Sequence, residues 1–526
     1  MHPLARRTFL QQATVAATAA SLPRWSWSQP PALGTTPFVL GVASGDPTPD
    51  GVVLWTRLLF SEPGHALMAH TVRWEVAHDE RFARIVQKGE ATALPALGHS
   101  VHVELRGLAP DRWYHYRFML GGAASTTART RTAPAPGDMP AALRVAFASC
   151  QRWEHGHYAA WRHLAADQPD LVLFLGDYIY EYATPRDTAG LARTHTLRLA
   201  TNLADFRDRY ALHKSDPALQ AAHATCPWSV TWDDHEVQND YAADSGRDSG
   251  PDAGELFLAM RGAAWQAFYE NMPLRATSLL RSATSDPWHQ LQIYRRLRWG
   301  QLAHIHLLDS RQYRSWQACR AAGSGSAGAV RPAQCADLAA PNRTLLGAVQ
   351  ERWLDAGLAA DAGVQDTTRW SVLAQQTLFS PRHYPSGVVS TDSWDGYPAA
   401  RARLLQAVAG HAPRNTVLLG GDIHQNYVCR VHAPGEDAPV VASEFCGTSI
   451  SSRSGTTQDK VDAVVRQNPH VLLARCDLRG YGLADITPAR WTTTLRVVTD
   501  PLRADSAVTT LARFVVEDKR PGPLVA

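Results

Sequence analysis

Four apolar runs punctuate this chain, and each stops abruptly at side chains able to hold a cation. LRVAFASC closes on Cys150, LVLFLGDYIYEY carries Asp177 and Tyr180, WSVTWDDHEVQND carries Asp233, Asp234, His235 and Asn239, and TVLLGGDIHQN carries Asp422 and His424. Continuous runs rich in Val, Leu and Ile predict strands buried on both faces of a sheet. From Leu143 onward such strands alternate with helical patterns, at 158–167, 205–222 and 254–271, and this alternation predicts a layered α/β domain. Further strands are expected at 301–313 and 369–379. In open α/β sheets ligands gather at the carboxyl edge of the strands. Four strands that end in metal-grade side chains therefore predict one site assembled from distant sequence.

The front of the chain has a different texture. Alternation at period two runs through GVVLWTRL, TVRWEVAHD and HSVHVELRGL, with turn signals between them. LRGLAP leading into WYHYRF is the corner-and-strand pattern of immunoglobulin or fibronectin III modules. An all-β sandwich over 37–135 follows, and the Pro/Gly-rich APAPGD marks its boundary with a second domain over 140–520. No catalytic constellation falls in the front segment, so its expected role is packing. Beyond Glu444 a mixed stretch to Val516 is expected to finish the second sheet, and the closing DKRPGPLVA to fray.

A chain of 526 residues has room for two or more domains with large cores. Charged residues make up 19% and the net charge is only +3, without blocks of one sign, so composition gives no case for a nucleic-acid or membrane-surface partner. Ala5-Arg6-Arg7-Thr8-Phe9-Leu10, followed by small and weakly apolar residues, reads as a twin-arginine signal over 1–30. Its apolar part is far shorter than the roughly 18 residues of a membrane span. The expectation is a protein passed to the Tat export machinery and released to the periplasm or beyond, with no integral membrane segment. Seven cysteines in an exported chain leave at least one unpaired. Cys319 and Cys335 flank a Gly/Ala/Ser-rich loop and are expected to bridge it, and Cys429 and Cys446 are near enough in sequence to pair. Cys150, closing a strand beside the site, is either a small core residue or a metal thiolate.

Gly176 lets the backbone turn so that the Asp177 carboxylate projects from the sheet edge, where its two oxygens can bridge two cations. A Gly-Asp after a strand is by itself usually only a turn. Asp233-Asp234-His235-Glu236 is harder to read that way, because four ionisable residues directly after an apolar strand are costly to bury without partners, and cations resolve their repulsion. Asp422 and His424 stand two residues apart, which in extended backbone puts both side chains on one face. The candidate metal ligands are thus Cys150, Asp177, Tyr180, Asp234, Asn239, Asp422 and His424. Thiolate and phenolate favour Fe(III), whereas carboxylate and amide oxygens suit Ca(II), Mg or Mn. A mixed Fe(III) and Ca(II) cluster is the economical reading, with Zn the runner-up. His235 is the candidate to stabilise non-bridging phosphate oxygens or protonate a leaving group. Arg311 is either a bidentate phosphate clamp or a salt bridge to Asp309 or another carboxylate. Asp392, Trp394 and Asp395 in DSWDGYP either shape the pocket or pack a loop, with packing favoured for Trp394.

The strings FASC, LGDYIYEY, WDDHEVQNDY, LDSRQY, GGDIHQN and RGYGLADI, with ASGDPTPDGVVLWTRL near the front, resemble the PhoD-type alkaline phosphatase/phosphodiesterase family of the calcineurin-like metallophosphoesterase class. The resemblance runs from Arg6 to about Thr487. It implies a four-layer αββα metallophosphoesterase domain behind the sandwich, and hydrolysis of phosphate mono- and/or diesters by metal-activated in-line attack. It also implies iron held by Cys150, Asp177, Tyr180 and Asp422, with Asp177 bridging to calcium and Asn239 helping to bind it. Asp233-Asp234-His235-Glu236 stands where the wider class carries Gly-Asn-His-Asp/Glu, and Gly421-Asp422-Ile423-His424 where it carries Gly-His-X-His. Two alternatives stay open: a phosphodiesterase directed at phospholipids, and a non-catalytic periplasmic phosphate- or metal-binding protein. Binding proteins usually hold phosphate with neutral donors and helix N-termini, and this chain concentrates Asp, His, Cys and Tyr instead.

Overall fold

The computed structural model describes residues 35–526 apart from 248–253, 281–287, 289–290, 322, 325–327, 364–367 and 436. The export signal expected over 1–30 lies outside the described residues. Two large sheets organise the fold. Leu143–Ala148, Leu171–Phe174 and Trp228–Val230 pair in parallel within a ten-stranded sheet. Ala303–Leu307, Trp370–Ala374 and Thr416–Gly420 are parallel neighbours in a seven-stranded sheet. Every residue of Leu171–Phe174 and of Thr416–Gly420 is buried, as their unbroken apolar runs require.

Alternate side chains of these strands go to different cores. Val145, Phe147, Leu171 and Leu173 share a core with Val372, Val417, Leu419 and Phe445 of the other sheet. Their neighbours Ala146, Ala148, Val172 and Phe174 pack instead with Trp161, Phe206, Trp265 and Phe268 from the helices Ala159–Ala166, Leu203–Lys214 and Glu255–Asn271. Leu373 and Leu418 of the seven-stranded sheet pack with Leu354, Leu358, Leu404 and Val408 from Gly347–Asp361 and Pro398–His411. Burying a Leu, Val or Phe side chain in this way contributes about 1.5–3 kcal/mol.

The front segment is joined to the large sheet rather than set apart from it. Val42–Thr48, Gly51–Arg57 and Ser100–Glu104 extend the ten-stranded sheet, with Gly45 in register with Trp228. A separate five-stranded sheet contains His70–Ala77, Ile85–Ala93 and Trp113–Leu120, and shares with them a core of Val52, Leu54, Val72, Tyr116 and Phe118. The corner read from LRGLAP is present: the Tyr114 hydroxyl accepts the Ala109 backbone N–H at 3.0 Å.

Several expectations are corrected. The helix expected over 205–222 is two, Leu203–Lys214 and Pro217–His223, because the Asp216 carboxylate caps the N–H groups of Ala218 and Leu219 and Pro217 opens a new helix. The strands expected over 301–313 and 369–379 stop at Leu307 and Ala374, where Asp309 and Gln376 begin loops held by side-chain hydrogen bonds. Beyond Glu444, Val471–Arg475 joins the seven-stranded sheet, but Arg479–Ile486, Arg490–Val498 and Val508–Glu517 join the ten-stranded one. The closing residues do not fray; Arg520–Val525 is the edge strand of that sheet, a place where Pro521 and Pro523 are tolerated. Cys319 and Cys335 form the expected disulfide. Cys429 and Cys446 stay free and buried, because the register of their adjacent strands sets Cys429 opposite Glu444 and Cys446 opposite Tyr427. Among the described residues no helix is long and apolar enough to cross a membrane.

Candidate metal centre

The carboxyl edges of the two sheets meet, and the loops there are held in uncommon backbone conformations. Cys150, Asp177, Asp422 and His424 have φ of 60°, 58°, 63° and 56°. Left-handed backbone costs a non-glycine residue roughly 1–2 kcal/mol, and persists only where the surroundings over-determine it. The extended geometry expected for Asp422 and His424 is thereby overturned, since a left-handed turn, not strand alternation, brings them to the site. Gly176 has φ 111°, and a Cβ there would stand 2.5 Å from the Asp233 Cβ. Only glycine lets those two loops touch. Glu236, fully buried, accepts the backbone N–H groups of Asp177 at 3.0 Å, Tyr178 at 2.5 Å and Asp233 at 2.7 Å. One carboxylate therefore ties the loops after Leu171–Phe174 and Trp228–Val230 together. From the other sheet, the Gly421 N–H donates to Gln376 O at 2.6 Å, and a Cβ on Gly421 would overlap Ser149.

Within this frame the expected ligands converge. The Tyr180 hydroxyl donates to Asp177 Oδ2 at 2.8 Å, accepts from Ser452 Oγ at 2.8 Å, and lies 3.1 Å from His424 Nε2. His424 Nδ1 donates to the Arg453 carbonyl at 2.7 Å, which leaves the lone pair on Nε2, facing the site. His235 is also held through Nδ1, 2.7 Å from Glu181 Oε2, with its ring against those of Tyr180 and Tyr182; unlike His424, against the effect of burial it is held well above the usual imidazole range by Glu181, Asp177 and Asp234. Three groups of potential ligand atoms each fit within 4.8 Å: Cys150, Asp177 and His424; Asp177, Asp234 and His235; and Asp233, Asp234 and Asp422. Asp177 belongs to the first two and Asp234 to the last two, so the groups form a connected series.

The electrostatics describe a deficit of positive charge. Burial, reinforced by Asp177, pushes the Cys150 thiol and the Tyr180 phenol well above their usual pKa values. Burial also raises the carboxyls of Asp177 and Asp233, and brings Asp422 to about 6. At Asp234 burial is outweighed by Arg311 and His235, which hold its carboxyl below the normal range. Burial pushes the His424 imidazole down to about 3, leaving it neutral. Asp233 Oδ2 is buried without a hydrogen-bond partner, and Asp234 Oδ1, also buried without one, has the Arg311 guanidinium 3.4 Å away. Crowded acids, orphan carboxylate oxygens and an imidazole lone pair aimed inward form a donor set that cations satisfy.

Of the other expected residues, Asn239 is placed through its backbone N–H, 2.9 Å from Glu181 Oε1. Arg311 is completely buried and already engaged by carboxylates: Nε pairs with Asp233, one terminal nitrogen lies 2.9 Å from Asp392, and the other 3.4 Å from Asp234 and 4.0 Å from Asp422. Asp309 instead accepts the Arg311 backbone N–H. Asp392 also pairs with Arg314 at 2.7 Å, and Trp394 packs edge-on against Phe379 in the core. Glu181, Glu236 and Ser452 were not singled out from sequence. The first two stand inside quoted motifs, YIYEY and DDHE, yet a carboxylate that holds an imidazole or backbone N–H groups carries no spacing that marks it.

Residues 145–495 match the PhoD-like phosphatase family, and residues 24–134 match the N-terminal domain of PhoD-like phosphatases. The chain is 41% identical, over 540 aligned residues, to alkaline phosphatase D of Bacillus subtilis (strain 168), with 98% of this chain and 88% of that protein covered. A solved structure of PhoD superposes with a TM-score of 0.85 at 40% identity, covering 94% of this chain and 93% of that one. With the site residues assembled at the meeting edges of two sheets and both family matches lying along the chain in order, the chain belongs to the PhoD-like phosphatase family.

Proposed function

We propose that this phosphoester hydrolase cleaves phosphate mono- and/or diesters by in-line attack at a mixed Fe(III) and Ca(II) cluster. The connected ligand groups with Asp177 and Asp234 as shared members carry this reading. Cys150, Asp177, Tyr180 and Asp422 would hold iron with His424 beside them, and Asp177, Asp234 and Asn239 would hold calcium. Cations bound there neutralise phosphate charge and lower the pKa of an attacking water. His235, fixed through Nδ1 by Glu181 at 2.7 Å, presents Nε2 to a non-bridging oxygen or the leaving group. Arg311 acts as a buried counter-charge to Asp233 and Asp392, which supports the salt-bridge reading over the phosphate clamp. Small phosphate esters are the substrates. The alternating cores support an αββα layering over 140–520 with a sandwich over 37–135 in front. Arg6-Arg7 and the small residues after them support Tat export to the periplasm or the medium.

The test is turnover of an aryl phosphate and a bis-aryl phosphate before and after chelation. Activity lost on chelation and restored by calcium supports the reading. Undiminished turnover after complete metal removal contradicts it.

A further inference from the structure

The rim of the centre carries two cations that the reading above does not use. Arg152 follows Cys150 by two residues, and its backbone N–H donates to Ser452 Oγ at 2.9 Å, the same hydroxyl that donates to Tyr180. Its guanidinium lies 5.8 Å from the Tyr180 ring and 5.1 Å from the Tyr182 ring. Those rings stand 4.1 Å and 5.3 Å from the His235 imidazole, so one ring separates the guanidinium from the group assigned to the phosphoryl or the leaving group. Arg152 Nε is pinned by Glu154 Oε2 at 3.3 Å, and the other oxygen of Glu154 lies 3.2 Å from His195. The Arg152 side chain is 17% exposed, and among the described residues neither of its terminal nitrogens has a protein partner. Arg453, the residue after Ser452, is exposed and forms no ion pair among the described residues; its guanidinium donates to the Gly190 carbonyl. Its backbone is anchored to the centre, because its carbonyl accepts His424 Nδ1 at 2.7 Å.

In the reading above the cations and His235 hold the phosphoryl oxygens, so the rim meets the rest of the ester. We propose that Arg152, with Arg453 as an outer cation on the neighbouring loop, is a specificity-determining residue that binds an anionic group on the alcohol side of the substrate, a carboxylate or a second phosphate. This rests on the phosphoesterase reading. A guanidinium held at Nε and laid against two aromatic rings keeps its terminal N–H groups in a fixed plane, and that fork matches a pair of carboxylate or phosphate oxygens. A neutral alcohol leaves those N–H groups to water. An anionic one gains charge-assisted hydrogen bonds in a partly desolvated place, where they count for more than in bulk water.

The experiment compares the parent with Arg152→Met, Arg152→Lys and Arg453→Met as metal-loaded full chains. The substrates are an aryl phosphate carrying a carboxylate on its ring and the same ester carrying a neutral carboxamide. It reads kcat and KM for both, their dependence on salt, metal content and melting temperature. The parent should prefer the carboxylated ester by about tenfold in kcat/KM, the size expected of a charged hydrogen-bonding partner, and added salt should shrink that preference. Arg152→Met should lose most of the preference, Arg152→Lys should keep part of it, and Arg453→Met should lower it by less, with metal content and melting temperature as in the parent. A parent without the preference, or an Arg152→Met that keeps it, overturns the proposal. An equal loss for both esters, or one that tracks metal content or melting temperature, assigns Arg152 a structural role instead. A folded, metal-loaded parent that hydrolyses neither ester refutes the phosphoesterase reading. Calorimetric titration of a carboxylated benzyl phosphonate and its carboxamide into parent and Arg152→Met then decides the Arg152 claim separately, and equal affinities for the two in the parent overturn it.

Discussion

Asp177 is held from three sides: its backbone N–H by Glu236, its Oδ2 by the Tyr180 hydroxyl, and its Oδ1 by the His235 backbone N–H at 3.4 Å. A side chain so fixed, and shared by two ligand groups, is expected to be the one the cluster cannot lose. Asp177→Ala should abolish turnover and lower bound metal while the chain stays folded; a variant keeping both metal and turnover would sink the bridging role. Cys150→Ser should remove any thiolate charge-transfer absorbance and shift metal preference, and an unchanged spectrum with unchanged iron argues against a thiolate ligand. The pH dependence has a definite sign. Asp422 titrates at about 6 in the metal-free fold, above the roughly 3.9 of an unfolded Asp. A raised acid contributes stability that is present below the unfolded value and lost as pH rises through the folded one. Cys150 and Tyr180, both raised, extend the same trend to alkaline pH. Metal displaces these protons, so the melting-temperature gap between loaded and chelated protein should widen as pH rises from about 5 to about 8. A gap that does not change with pH contradicts this. That these residues converge was legible because an apolar strand that ends in Asp, His, Cys or Tyr is conspicuous. The partners of Arg311 were not, because Asp233 lies 78 residues away along the chain.

At the scale of elements, the strands that build the site are short and their loops are what the function depends on. Gly176→Ala would force a Cβ into Asp233 at φ 111°, and is expected to cost more than about 2 kcal/mol and to lower metal affinity with it. A urea midpoint and metal content matching the parent would show that the loop can yield. The break between Leu203–Lys214 and Pro217–His223 was written in Asp216-Pro217, a cap followed by a helix-opening proline, although helical periodicity on both sides masked it. The left-handed φ of Asp422 and His424 had no such sign, because neither residue is glycine. Register was equally hidden: nothing local states that Cys429 faces Glu444.

At the scale of the molecule, segments near both ends of the described residues complete the sheet that carries the site. Val42–Thr48 and its partners flank Trp228–Val230 on one side, and Arg479–Ile486 flanks Leu143–Ala148 on the other. The α/β character was readable from alternating apolar and helical stretches, but strand order depends on crossovers between distant segments, which local pattern does not encode. Gly482 shows how specific the join is, since its missing side chain makes room for the Phe147 ring. Elemental analysis of the freshly purified, folded protein reads out whether this framework holds the mixed-metal cluster proposed for it. About one iron per chain together with calcium is expected, in proportions that chelation strips in parallel with activity. A folded and active preparation without stoichiometric metal would contradict it.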